Sequence, residues 1–215
     1  MSITVDTRPI QTTHESLMRT FGAVWFLLLA GLMASAAYHE AAPSVIVCKL
    51  CLMSFYLILF FLLMARPPAK SQAHGVMPRT AAFVGTYTPW AIGFFPAYHS
   101  ASLSLLATVC IVSGIVLAII TVLHLGTAFS LVPQARNVVR NGPYRWLRHP
   151  LYLAEEIAIV GALLQFISPI TVAIFMIHIG VQICRIVYEE RLLRLTFPEY
   201  NTYAMTNWRL IPYVW

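Results

Sequence analysis

Two clusters of ionisable side chains stand out in an otherwise apolar sequence. The first occupies residues 136–156 and includes Arg148 and His149, whose nitrogen donors suit a carboxylate or phosphate. The second occupies residues 185–199. Charged groups inside or beside apolar segments are costly to keep there, so both clusters are candidate functional sites.

The carboxylates of these clusters allow two interpretations each. Arg185 and Glu189 lie four residues apart, hence on one helical face, with Glu190 adjacent. They form a salt bridge within the helix or contact a charged ligand. Glu155 and Glu156 lie just inside an apolar segment. In the structural interpretation, they pair with basic residues or with a neighbouring helix. In the functional interpretation, one of them binds a cationic group or acts as general base for a neutral substrate.

Composition excludes a soluble globular protein. Of 215 residues 59% are hydrophobic and 10% charged, against about a quarter charged in soluble domains, and the mean hydropathy is +0.74. The formal charge of +6 marks membrane topology rather than nucleic-acid binding. The cysteines and histidines lack metal-site spacing, so no metal is expected, and His124 and His178 are interpreted as packed or hydrogen-bonded.

The apolar segments predict an all-α integral membrane protein with about six transmembrane helices, each near 20 residues. The segments are Phe21–Tyr38, Val45–Met64, Ala81–Tyr98, Leu103–Leu125, Leu151–Phe166 and Ile170–Val187. Pro89 and Pro96 interrupt the third segment, and five spans result if that segment is re-entrant.

Basic residues predict the orientation of these segments. Arg and Lys occur in the N-terminal arm, the second and fourth connections and the C-terminal region, whereas the other connections contain none. Lys49 alone falls on the opposite side. The positive-inside rule therefore places both termini and the candidate site in the cytoplasm, at a bacterial inner membrane or the endoplasmic reticulum.

The elements that position the two clusters form the C-terminal part of the chain. Residues 151–197 are expected to form a helical hairpin whose short connection at 167–169 brings the far ends, and so both clusters, together. The expected organisation is a cytoplasmic arm at 1–20, four transmembrane helices at 21–125 and a catalytic region at 126–215, comprising a loop at 126–150, the hairpin and a tail at 198–215.

An ordered set of short motifs runs through this region. They are Gly142-Pro143-Tyr144, Arg148-His149-Pro150-Leu151-Tyr152, Glu189-Glu190, Phe197-Pro198-Glu199-Tyr200-Asn201-Thr202-Tyr203 and Ile211-Pro212. In this order they resemble the isoprenylcysteine carboxyl methyltransferase family, integral membrane enzymes that use S-adenosylmethionine. The resemblance covers roughly residues 125–215.

The resemblance implies that S-adenosylmethionine binds in a cytoplasm-facing pocket formed by the last two helices, the preceding loop and the tail. The expected cofactor-binding residues are Arg136, Asn137, Val138, Val139, Tyr144, Arg148, His149, Pro150, Leu151, Tyr152, Glu189 and Glu190. Arg185 and Glu189 are the expected catalytic residues, with Arg185 facing a substrate carboxylate. Glu155 and Glu156 depart from the family pattern, and their position just inside an apolar segment makes them candidate substrate-binding residues.

The predicted function is methyl transfer from S-adenosylmethionine to a lipophilic substrate that enters from the bilayer, as in prenylcysteine carboxyl O-methylation. The alternatives are N-methylation of a phospholipid amine, another small lipophilic substrate, an NADPH-dependent enzyme similar to sterol reductases, or a non-enzymatic membrane scaffold. A reductase would need cations such as Arg136 and Arg140 for the 2′-phosphate. The expected partners are the bilayer and the lipophilic substrate, without nucleic acid or metal.

Overall fold

The computed structural model describes residues 4–6, 12–97 and 101–215, and it is a helical bundle with one small sheet. The α-helices are α1 Thr12–Tyr38, α2 Pro43–Ala65, α3 Val76–Tyr87, α4 Ala101–Leu125, α5 Pro150–Gln165, α6 Pro169–Thr196 and α7 Glu199–Thr206. In these parts of the chain, four segments are long and apolar enough to cross a membrane: Ser16–Tyr38, Pro43–Ala65, Ser102–Ala128 and Pro169–Thr196. The expected all-α membrane architecture is confirmed. The predicted third and fifth spans are not among these four segments, and α5, with 16 residues, is shorter than a typical span.

The third predicted span is divided at its first proline. Helix α3 ends at Tyr87, and a 3-10 helix follows over Thr88–Phe94 with Pro89 in its first turn. Proline lacks the N–H that would continue the α-helical ladder, and its ring clashes with the preceding turn. The 12 residues of α3 and the 7 of the 3-10 helix extend over about 32 Å together, close to the ~30 Å hydrocarbon core.

A three-stranded antiparallel sheet joins segments that are far apart in the chain. Its strands are β1 Thr4–Asp6, β2 Ser71–His74 and β3 Gln134–Ala135, in the order β1-β2-β3. Strand β1 and the connections after α2 and α4 therefore lie at one end of the bundle. Because α4 starts at the other end, residues 76–97 must run back along the bundle. That this end is cytoplasmic stays a prediction.

The isolated lysine, Lys49, lies in the second turn of α2, near the connection from α1. The Nζ atom of Lys49 lies 2.8 Å from Oε2 of Glu40 and donates to the carbonyl of Ala36 at 3.0 Å. The hydrogen bond from Lys49 lowers the pKa of the partly exposed Glu40 carboxyl. The lysine that departs from the positive-inside pattern is thus paired with an acidic neighbour.

Small residues bring α4 and α5 into backbone contact. A Cβ atom added at Gly114 would lie 2.4 Å from the backbone nitrogen of Ala158, and one added at Gly161 would lie 2.7 Å from the carbonyl oxygen of Ala107. Such close approach is typical of membrane helix pairs, in which packing rather than hydrophobicity holds helices together. Helix α5 therefore packs mainly along α4.

The predicted hairpin forms at its turn, but its two helices have different partners. Ser168 caps α6: its Oγ accepts from the N–H of Thr171 at 3.2 Å, and its own N–H donates to Oγ1 of Thr171 at 2.8 Å. Away from this turn, α6 packs against α3 and the 3-10 helix, whereas α5 follows α4. Side chains rather than backbones therefore bridge α5 and α6.

Candidate active site

A buried carboxylate joins the loop before α5, the C-terminal part of α6 and the tail. Glu190 is 3% exposed. Its oxygens lie 2.7 Å from Nη1 of Arg148, 3.3 Å from Nε of Arg209 and 3.6 Å from Nη2 of Arg194, and His149 Nε2 lies 3.4 Å away. A buried charge needs such partners. Glu190 thereby fixes the loop and the tail to α6.

The tail holds the same loop through its backbone. The N–H of Arg148 donates to the carbonyl of Trp208 at 2.8 Å, and the hydroxyl of Tyr203, on α7, donates to the carbonyl of Tyr144 at 2.6 Å. Burial raises the pKa of Tyr203 to about 12. Its hydroxyl therefore remains a donor at physiological pH, and the loop is clamped from two positions of the tail.

Three side-chain pairs connect α5 to α6 from the mouth of the site inward. They are Tyr152 with Glu189, Glu155 with Gln182, and Glu156 with His178. The Tyr152 hydroxyl donates to Oε1 of Glu189; Gln182 Nε2 lies 3.5 Å from Glu155 Oε2, and His178 Nε2 lies 2.9 Å from Glu156 Oε1. The structure thus brings the two sequence clusters together, and His178 is hydrogen-bonded as the sequence predicts.

Arg185 lies among these pairs and is 5% exposed. Its Nη1 donates to Oε1 of Gln182 at 3.0 Å, and its guanidinium lies 4.9 Å from the centre of the Tyr152 ring. On the other side, a Cβ atom added at Gly85 of α3 would lie 2.6 Å from the Arg185 Cδ. Gly85 therefore leaves the space that Arg185 occupies, a role for which the sequence carries no local signal.

A cavity of about 310 Å³ opens between these elements, within the usual size of small-molecule sites. Most of the predicted site residues line it. They are Arg136, Asn137, Val138, Val139, Tyr144, Arg148, His149, Leu151, Tyr152, Glu155, Arg185 and Glu189. Ionisable and aromatic groups therefore surround its polar end.

Three predicted site residues are not among the described residues that line the cavity: Pro150, Glu156 and Glu190. Pro150 is buried in the first turn of α5, where the missing N–H carries no cost. Glu156 is occupied by His178, and Glu190 by the arginines of the loop and tail. All three residues therefore lie behind those that line the cavity and affect the site only indirectly.

Arg136 lines the cavity but also ties together two connections. It is 5% exposed, and its Nε donates to the carbonyl of Pro67 at 2.9 Å. Its Nη2 donates to Oε1 of Gln134 at 2.9 Å. The side chain therefore links β3 to the connection after α2.

The other end of the cavity is aromatic and apolar. Side chains of α1, α2, α3 and the 3-10 helix line it, including Trp25, Phe26, Phe55, Tyr56, Tyr87 and Trp90. The N-terminal helices thus contribute to the same cavity as the polar clusters, which the sequence left undecided. One continuous space with a charged end and an aromatic end suits an amphipathic ligand.

Tyr200 lines the cavity but is not among the site residues predicted from the sequence. It is 2% exposed and lines the cavity, and its hydroxyl has no hydrogen-bond partner among the described residues. Burial raises the pKa of Tyr200, so the hydroxyl stays neutral. The spacing of Tyr200 and Tyr203 on one face of a short helix is the signal that could have indicated it.

Comparison with known families gives one match. The model of the phospholipid methyltransferase family matches residues 102–200, from α4 to the beginning of α7. No curated protein matches the chain. The matched residues contain the loop, the α5–α6 pairs and Glu190, and the match does not distinguish the isoprenylcysteine branch that the motifs resemble. It supports a methyltransferase that is an integral membrane protein, similar over this region to phospholipid methyltransferases.

Proposed function

We propose that this protein transfers a methyl group from S-adenosylmethionine to a lipophilic molecule held in the membrane. The observation that carries the proposal is the continuous cavity with Glu189 and Arg185 at its polar part and aromatic side chains at its other end. The methyltransferase family match covers the elements that build the polar part. The aromatic end would accommodate the apolar tail of the acceptor.

The residues at the polar end fit the chemistry of S-adenosylmethionine, which supplies an electrophilic methyl group on a sulfonium sulfur. Glu189 would accept from its ammonium group, and the Tyr200 hydroxyl and His149 would donate to its polar atoms. Apolar lining residues such as Val138 and Val139 would contact the adenine. The partnerless Tyr200 hydroxyl is the feature that most directly calls for a ligand.

Methyl transfer is an in-line displacement, so alignment of the reacting atoms can supply much of the rate enhancement. In this chain, the tail and the loop before α5 form the mouth of the cavity. Arg185 is held by its hydrogen bond to Gln182 and its contact with the Tyr152 ring, and it fills the space left by Gly85. The residues of α1 and α2 that line the cavity are apolar or aromatic, and such surroundings strengthen electrostatic contacts. The protein's proposed contribution is therefore to position the reacting atoms.

Two acceptor classes fit this scheme. A prenylated cysteine would place its carboxylate near Arg185, as the motif resemblance implies. A phospholipid amine would place its nitrogen near Glu155, and the phospholipid methyltransferase match favours this second class.

The NADPH-dependent alternative has weaker support. Arg136 is buried and bonded to the Pro67 carbonyl and to Gln134. Arg140 donates to the carbonyl of Glu199 at 3.0 Å and lies 5.9 Å from the centre of the Tyr203 ring. These two arginines are the cations suggested for a 2′-phosphate, but both guanidinium groups already contact other parts of the protein.

Calorimetric titration of the purified full-length protein with S-adenosylhomocysteine, and separately with NADPH, tests the proposal. Binding of S-adenosylhomocysteine alone is expected, and Glu189→Gln should weaken it at least about tenfold, or ~1.4 kcal/mol. Glu40→Gln, at the far end of the bundle, is the matched control and should bind normally. NADPH binding alone, or binding of neither compound to protein that unfolds cooperatively on heating, would contradict the proposal.

A further inference from the structure

The carboxylates around the cavity differ in how fully they are paired. Glu190 contacts several arginines, Glu156 is bonded to His178, and Glu189 accepts from a tyrosine hydroxyl. Glu155 lines the cavity, and its hydrogen bond from Gln182, at 3.5 Å, is at the outer limit of such contacts. Among these four, Glu155 has the carboxylate most available to a ligand.

Glu155 also lies where the reacting atoms would meet. It follows Tyr152 by three residues, which places it about 4.5 Å further along α5 from the mouth. If Glu189 holds the charged end of the cofactor and the aromatic end holds the lipid tail, the methyl carbon and its acceptor lie between them. Among the described lining residues of α5 and α6, those with ionisable groups inward of Tyr152 and Glu189 are Glu155, Arg185 and His178, and His178 is already bonded to Glu156. The inference therefore rests on the function proposed above.

The balance of charge at this position disfavours a carboxylate acceptor. Arg185 and Glu155 are both bonded to Gln182, and Arg185 lies over the ring of Tyr152, whose hydroxyl donates to Glu189. The protein thus already places two carboxylates near Arg185. A further carboxylate would add negative charge to a buried region, whereas an acceptor that carries a proton would find a base beside it.

We propose that Glu155 is the catalytic base of the reaction and that the acceptor is a lipid whose nucleophilic atom carries a proton, as an amine does. In the transfer, a bond forms between this atom and the methyl carbon as the carbon–sulfur bond breaks, its electron pair remaining on sulfur. The proton of the acceptor atom passes to a Glu155 oxygen. General bases of this kind contribute about 10²–10⁴ to the rate.

The test compares wild-type protein, Glu155→Gln, Glu155→Asp and Glu40→Gln in lipid nanodiscs with labelled S-adenosylmethionine. Acceptors that carry a proton are phosphatidylethanolamine, hexadecanol and hexadecanethiol; N-acetyl-S-farnesylcysteine provides a carboxylate. Affinity for S-adenosylhomocysteine is measured on the same samples and reports both folding and the cofactor site. The Glu40→Gln variant should behave as wild type.

We expect label in a proton-bearing acceptor, a loss of at least about 100-fold in Glu155→Gln, partial recovery in Glu155→Asp, and S-adenosylhomocysteine affinity within about threefold of wild type. Methylation of the farnesylcysteine carboxylate instead overturns the inference. So does an active Glu155→Gln variant, or a wild-type protein that binds S-adenosylhomocysteine but methylates no proton-bearing acceptor. Failure of wild type to bind S-adenosylhomocysteine overturns the proposed function itself.

Discussion

The hydroxyl of Tyr152 on α5 donates a hydrogen bond to the carboxylate of Glu189 on α6, at the mouth of the cavity. The ring of the same tyrosine stacks on His149 with centroids 5.5 Å apart and planes 3° from parallel. On the inner side, the Arg185 guanidinium lies over that ring. Tyr152 therefore connects the loop, the proposed cofactor carboxylate and the deeper arginine.

Replacing Tyr152 with Phe keeps the ring and removes the hydrogen bond to Glu189. Hydrogen bonds to charged groups contribute about 1.5–3 kcal/mol, but solvent at the mouth can replace part of this one. We therefore expect S-adenosylhomocysteine to bind roughly tenfold more weakly, as measured by calorimetry. Tyr213→Phe, at an exposed tail residue, is the control. Unchanged affinity in Tyr152→Phe would show that the tyrosine hydroxyl does not orient Glu189.

Replacing Glu190 with Gln removes the charge that Arg148 and Arg209 share. Because Arg148 is largely buried, with 12% of its side chain exposed, its charge would lose its main partner. Breaking a buried pair costs about 3–5 kcal/mol, and the partial exposure of Arg209 reduces this to roughly 2–3 kcal/mol. Thermal unfolding in detergent should show a clear drop in Tm. A Tm equal to that of wild type would refute this structural role.

Replacing Gly114 with Val tests the backbone contact between α4 and α5. The added side chain would collide with the backbone of Ala158, which cannot move aside as a side chain can. We expect a loss of at least about 3 kcal/mol or failure to fold, because close-packed helices do not accommodate extra volume. Gly31→Ala, in α1 with open space around it, is the control and should leave the Tm nearly unchanged. Equal thermal stability of both variants would contradict the close packing.

Replacing Gly85 with Ala tests the position of Arg185 without changing any charge. The new methyl group would lie too close to the Arg185 Cδ, so the guanidinium must shift from its place over Tyr152. We expect methyl transfer to fall roughly 10- to 100-fold, because small misplacements of active-site groups are costly. Affinity for S-adenosylhomocysteine should change less. Gly93→Ala, which has nothing near its Cβ position, should have normal activity; comparable losses in both variants would argue against the mechanism.

Four membrane helices could be predicted from the sequence, and most of the site residues predicted from it line the cavity. A bilayer requires each spanning segment to satisfy its own backbone hydrogen bonds, so local composition alone marks α1, α2, α4 and α6. The motifs around Tyr144 and Arg148 are likewise local, because a loop and the first turn of α5 form them.

The pairings between distant segments could not be predicted in this way. Strands of three, four and two residues, one from the N-terminal arm and two from separate connections, are too short to show a period of two, so the sheet could not be predicted. The partner of α5 depends on how closely Gly114 and Gly161 allow α4 to approach, a property of two surfaces rather than of one segment.

Glu189 and Glu190 show the same division most directly. They are adjacent and chemically identical, and the sequence assigned both to the cofactor. In the folded chain Glu189 lines the cavity, whereas Glu190 is enclosed by arginines of the loop and tail. Successive residues of a helix point about 100° apart. The sequence by itself therefore determined that carboxylates stand at this end of α6, and only the packing of loop, tail and helices decided which one faces a ligand.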